Sequence, residues 1–162
     1  MNVFLEEHKR LLQILIKHKV DFLVIGGYAV IIYGYERITK DIDLWLKPDN
    51  ENKIKLINSL REFGIVEESL AVVETFNFEE PQVFIFGEEP LQVDFLTRIS
   101  GIEFSDAIKQ KTILSLEGRE IPVIPFRHLI INKMLSGRPQ DNADVEILQR
   151  INKYRKNPEP LD

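Results

Sequence analysis

Residues 22–46, FLVIGGYAVIIYGYERITKDIDLWL, decide the fold. Phe22 to Ile25 is a short apolar run broken by Gly26 and Gly27, and AVIIYG continues as a short helix beginning in that glycine turn. After the polar loop YERITK, residues 41–46 alternate Asp41, Asp43 and Trp45 against Ile42, Leu44 and Leu46. That is the period-two signature of a strand whose two faces differ. The stretch therefore reads strand, tight turn, helix, loop, strand, and Pro48 ends it.

Working outward, Asn2 to Lys19 carries Phe4, Leu11, Leu12, Leu15 and Ile16 at helical spacing, with Glu6, Glu7, Lys9 and Arg10 largely opposite. Downstream, Glu51 to Phe63 has helical period, with Gly64 where a C-terminal cap belongs. The segment from there to Asn77 fits helix or strand equally. QVFIF and LQVDFL flank GEEP as a hairpin, and Asp94 lies in the second strand. A short helix near Ser105 to Lys109, a strand pair (TILSL, EIPVI) and helices at Phe126 to Leu135 and Asn142 to Tyr154 complete the order. Strands and helices are mixed without strict alternation, so the expected fold class is α+β, a mixed sheet flanked by helices. With 162 residues and 44% apolar composition, one domain over residues 1–157 is expected, with residues 158–162 a frayed tail.

Composition excludes several chemistries. There is no cysteine, hence no disulfide, thiolate zinc site or cysteine nucleophile. His8, His18 and His128 lack ligand spacing, which argues against a histidine zinc site. No apolar run approaches the roughly 20 residues that span a bilayer, and no leader pattern opens the chain, so a cytoplasmic protein is expected. A net charge of -5 argues against extended DNA binding, because nonspecific affinity comes from Lys and Arg neutralising phosphates.

The informative constellation is two aspartates at i and i+2 on one strand, a third on a later strand, and a double glycine just upstream. Residues two apart on a strand share a face and stand roughly 6.5 to 7 Å apart along it, so Asp41 and Asp43 can converge where Ile42 cannot. Carboxylates gathered on one face repel each other and are costly to desolvate unless a cation or proton compensates them. Mg²⁺ prefers such oxygen ligands, and paired ions sit about 3.5 to 4 Å apart on shared ones. Gly26 and Gly27 permit close approach of backbone to a phosphate. The bland readings are that the aspartates blunt a strand edge and the glycines only make a turn. Arg37 is either a phosphate clamp or a solvated loop residue, and Lys133 either snorkels to solvent or reaches phosphate. Asp141 and Asp144, at i and i+3 opening the last helix, fit a helix-dipole role, with Arg138 as a pairing partner. Tyr33 and Tyr35 fit packing better than base stacking.

Taken together, VIGGYAVIIYG, TKDIDLWL and LQVDFL resemble the GG…DxD…D signature of the DNA-polymerase-beta-like nucleotidyltransferase superfamily. Within it the chain is similar to the minimal nucleotidyltransferases and the abortive-infection toxin group, whose members commonly end in a segment like KMLSGRPQDNADVEIL. The resemblance runs from about Phe22 to Leu148. It implies transfer of a nucleoside monophosphate from a nucleoside triphosphate to an acceptor hydroxyl, with pyrophosphate leaving. Asp41 and Asp43 would bind two Mg²⁺ ions, and Asp94 would bind the catalytic ion and stand nearest the attacking hydroxyl, as its base or through the metal. Gly26 and Gly27 would hold the triphosphate, with Arg37, Thr39 and Lys133 as further contacts. Gln140 stands where relatives often carry Lys, which leaves no phosphate contact expected there. The acceptor implied is a protein or RNA hydroxyl, and a cognate antitoxin is an implied partner. The alternatives are a small-molecule transferase of aminoglycoside type and a catalytically silent nucleotide-binding or toxin–antitoxin partner protein.

Overall fold

The structure, a computed structural model, describes residues 3–161. Its centre is the stretch quoted above: β1 (Phe22–Ile25), α2 (Gly26–Ile32) and β2 (Asp41–Leu46), with β2 antiparallel to β1 and Ile25 opposite Asp43. α1 (Glu6–Lys17) precedes them, so the first helix starts later than the apolar pattern suggests; residue 2 lies outside the described residues. Around this centre a six-stranded mixed sheet forms in the order β3-β4-β2-β1-β6-β5. β3 (Val83–Phe86) and β4 (Gln92–Leu96) are the expected hairpin, and β4 then pairs in parallel with β2. β5 (Thr112–Leu116) and β6 (Arg119–Val123) form the second antiparallel pair, joined to β1 in parallel through β6. The α+β class and mixed sheet are as the sequence indicates.

One sheet face is sealed by apolar side chains. Ile42, Leu44 and Leu46 of β2 are fully buried together with Phe95 of β4, and Phe84, Phe76 and Phe78 extend this aromatic layer. On the other face, Trp45 buries its ring edge-to-face against Phe104 of α5 (Phe104–Lys109), while Asp41 and Asp43 on the same side remain partly open. α3 (Asn50–Phe63) opens at Asp49, whose side chain accepts from the backbone N–H of Asn52 at 2.7 Å, and closes at Gly64 with φ 113°. α4 (Glu67–Glu74) resolves the ambiguous segment as a helix: Glu67 and Glu68 occupy its first turn, where the dipole favours carboxylates, and Leu70 and Val73 are buried. α6 (Phe126–Ser136) and α7 (Pro139–Lys153) close the chain. α7 begins at Pro139, earlier than Asn142, because proline presets the backbone angle of a first helical turn. Among the described residues no helix is long and apolar enough to cross a membrane.

Buried Asn52 ties the edges of this centre together. It donates to the carbonyls of Asp21 and Lys47 (2.9 and 3.2 Å) and accepts from the Asp21 N–H at 2.9 Å, thereby holding the start of β1 beside the end of β2. Asn52→Ala strands those groups, and a loss of about 1 to 3 kcal/mol is expected in urea unfolding. An unchanged midpoint would show that water replaces the amide without penalty.

Candidate active site

The register of three strands builds the site. Asp43 of β2 lies opposite Ile25 on one side and opposite Asp94 of β4 on the other, and Asp41 stands two residues away on the same face. The three carboxylates can offer one oxygen each with all three within 4.8 Å of one another. Gln92, two residues before Asp94 on the same strand, donates through Nε2 to Asp94 Oδ1 at 2.8 Å and fixes that carboxylate. Gly26 follows Ile25 directly with φ 67°, and a methyl there would run into the Asp43 carboxylate. A methyl on Gly27 would lie 2.6 Å from Thr39 Oγ1 and 3.1 Å from an Arg37 Nη. Both glycines are thus demanded by what packs on them, beyond the turn itself.

Asp41, Asp43, Asp94, Gly26, Gly27, Arg37, Thr39 and Lys133 all line one open cavity of about 580 Å³, together with Lys40, Glu89, Arg138, Gln140 and Asp141. A second cavity of about 430 Å³ shares Gly26, Asp43, Lys133 and Arg138 and continues over Leu96, Arg98 and Asn132. Glu89 and Gln92 were not singled out by sequence, although the QVD spacing of Gln92 and Asp94 was a readable signal. Tyr33 does not reach the cavity. Its hydroxyl is buried, donating to the Ile124 carbonyl at 2.6 Å and sharing a hydrogen bond with Thr112 Oγ1 at 2.7 Å. Tyr35 packs against the core.

Charge is distributed unevenly here. Burial, then the neighbouring Asp41 and Asp94, push the Asp43 carboxyl up to about 7. Asp41 is raised chiefly by burial and then by Asp94. The nearby cations are committed elsewhere. Lys133 Nζ, itself buried, donates to Asp141 Oδ1 (3.1 Å) and Asp144 Oδ2 (2.9 Å), so it neither snorkels nor stands free. Arg138 pairs with Asp141 at 2.8 Å, and Arg37 with Asp144. At Asp141 burial works upward, but Arg138, Ser136 and Lys133 outweigh it and hold the carboxyl down at about 2. Asp144 sits beyond the first turn of α7, fully buried, and its role is ion pairing inside the fold rather than the helix dipole.

The donor set fits a hard divalent cation: three carboxylates, one of them pushed toward neutrality for want of a compensating charge. The sign of the resulting pH dependence follows. In the metal-free protein Asp43 is raised from its ordinary 3.8, so its contribution to stability is complete below about pH 4 and is lost as pH rises through about 7. A cation bound there would take the place of the proton. The rise in melting temperature caused by Mg²⁺ is therefore expected to grow from pH 5.5 to pH 8, as measured by thermal melts with and without EDTA. A shift independent of pH would mean that Mg²⁺ binds away from Asp43.

Comparison with known proteins bears on this arrangement. Residues 4–159 match the family described as "Nucleotidyl transferase of unknown function (DUF2204)". The chain belongs to that family. It is thus a nucleotidyltransferase, as the GG…DxD…D resemblance implies. No curated protein matches it by sequence. Among solved structures it is similar to the lincosamide antibiotic adenylyltransferase LnuA in its lincomycin-bound form, at 19% identity and TM-score 0.57 over 93% of this chain and 99% of that one. It is also similar to an antigenic nucleotidyltransferase-like protein from Paracoccidioides brasiliensis (14% identity, TM-score 0.55, 93% and 76% covered). A third neighbour is ANT(2")-Ia in complex with adenylyl-2"-tobramycin (13%, 0.53, 87% and 84%). At these identities the likeness is one of fold.

Proposed function

We propose that this nucleotidyltransferase uses Mg²⁺ held by Asp41, Asp43 and Asp94 to move a nucleoside monophosphate from a nucleoside triphosphate to an acceptor hydroxyl. The observation that carries the reading is the convergence of these three carboxylates beside the Gly26 turn in one cavity. Bound Mg²⁺ would neutralise phosphate charge that builds up in the transition state. The chain's own groups do the rest. Gly26 and Gly27 leave room for phosphate oxygens at the start of α2, and Arg37, Thr39 and Lys133 line the wall around them. Asp94, oriented by Gln92, takes the acceptor's proton as its oxygen bonds to the α-phosphorus; the bond from that phosphorus to the bridging oxygen breaks, and pyrophosphate leaves with the electron pair.

The acceptor we infer is a hydroxyl on a protein or RNA, in a toxin-like role that an antitoxin would restrain. A second reading is a small hydroxylated molecule. It is favoured by the fold likeness to LnuA and ANT(2")-Ia, whose names attach them to antibiotics. The test is incubation of the purified chain with each α-labelled nucleoside triphosphate and Mg²⁺, in cell extract and separately with a panel of lincosamides and aminoglycosides. Label should move from one nucleotide to one acceptor class and stop with EDTA. If none of the four nucleotides labels anything, the silent binding-protein reading takes its place.

A further inference from the structure

Resting on that reading, we propose that Asp144 is a positioning residue: it touches no substrate but fastens the loop bearing Arg37 and Thr39 to the two C-terminal helices, and so sets the nucleotide site. The carboxylate is completely buried, and three residues from three places converge on it. Arg37 donates through Nη2 to Oδ2 at 3.1 Å, with Nε 3.1 Å from Oδ1 but off the hydrogen-bonding angle. Lys133 of α6 donates to Oδ2 at 2.9 Å, and Gln140 of α7 donates to Oδ1 at 2.9 Å. Arg37 is separated from Asp144 by 107 positions in the chain, so this contact joins the loop before β2 to the last helix, α7.

The geometry explains why such an anchor matters. A guanidinium carries five N–H donors. Arg37 uses one on Asp144 and one, on Nη1, on the Ile38 carbonyl, which leaves donors over for a phosphoryl oxygen while the side chain is held against Gly27. Thr39 packs on the same glycine and donates to the Asp41 carbonyl at 3.2 Å, so displacement of the loop also reaches the aspartate strand. Lys133 spends two of its three N–H groups on Asp141 and Asp144 while lining the cavity beside Asp43. Removing the Asp144 charge therefore loosens Arg37 and alters Lys133 together.

The test combines ligand-free hydrogen exchange with nucleotide affinity. In Asp144→Asn, amides of residues 36–40 should exchange faster than in wild type while those of β2 and β4 keep their protection. Affinity for the nucleoside triphosphate with Mg²⁺ should weaken about 10-fold, and in an Arg37→Gln background the same change should weaken it less than about 3-fold, because the coupled pair is already broken. A merely structural role would give equal losses in both backgrounds, and that result, or unchanged loop exchange, overturns the proposal. If Asp144→Asn does not fold, Arg37→Lys, which keeps the charge but not the fork, is measured identically; an unaltered loop there is equally decisive. Should wild type bind none of the four nucleotides, the functional reading falls while the exchange comparison still decides the anchor.

Discussion

Asp43→Asn is expected to abolish label transfer by several orders of magnitude while leaving the metal-free protein as stable as wild type or more so. The two effects have one origin. Asp43 is one of three clustered carboxylates, and burial together with Asp41 and Asp94 pushes it up to about 7. At pH 8 in EDTA the wild-type protein must hold it ionised against that environment. The amide has the same size and carries no charge, so the repulsion disappears, and each kcal/mol relieved raises the melting temperature by about 2 to 4 °C in a chain of this length. The wild-type advantage returns with Mg²⁺, whose stabilising shift the variant should lack. Below pH 4, where the wild-type carboxyl is protonated in both states, the two melts should meet. A variant that melts lower than wild type at pH 8 in EDTA would identify Asp43 as a structural hydrogen-bonding residue, and a folded variant with full labelling would end the metal-ligand assignment.

What could be read from sequence was what lies within one strand or one helix. The alternation in DIDLWL placed Asp41 and Asp43 on one face, and the strand–turn–helix around Gly26 followed from two glycines after FLVI. The pairing of β2 with β4 was a different matter. Asp94 is brought level with Asp43 by a parallel register between strands that are not consecutive, and no periodicity reports which strand will be the neighbour. That Asp94 joins the pair was carried by chemistry, since a third carboxylate was needed, and by resemblance. The ionic interior shows the same limit. The spacing of Asp141 and Asp144 is visible in sequence, and so is Arg138 as a partner, which pairs with Asp141; the other cations that claim them, Lys133 and Arg37, come from an earlier helix and from the loop before β2. α4 is undecided in sequence because its apolar residues run together as LAVV, too short a run to show a period; only burial of Leu70 and Val73, three apart, marks one helix face.

Gly26→Ala is the second change with a large expected effect, and its comparison with Gly27→Ala separates position from strain. Gly26 has φ 67°, where an L-residue carries a penalty of about 1 to 2 kcal/mol, so unfolding in urea should show a loss of that order. The added methyl also meets the Asp43 side chain, with Cγ 2.9 Å and Cβ 3.1 Å away, and these atoms belong to a short side chain rising from a paired strand. The carboxylate must turn or the strand must move. Displacements near 1 Å at a reacting centre lower turnover by about 100-fold, and that fall should appear in kcat. Gly27 is free of backbone strain, and its methyl would meet Thr39 Oγ1 and Cβ at 2.6 and 3.0 Å and an Arg37 nitrogen at 3.1 Å, so the loop that carries both residues must shift. Gly27→Ala should therefore keep most of its stability and its kcat while raising KM for the nucleotide. Steady-state labelling of both variants at varied nucleotide concentration provides the measurement. If Gly26→Ala keeps full kcat, the Asp43 carboxylate has room that its packing against Gly26 denies, and the close approach of the turn to the aspartate strand has no part in the chemistry.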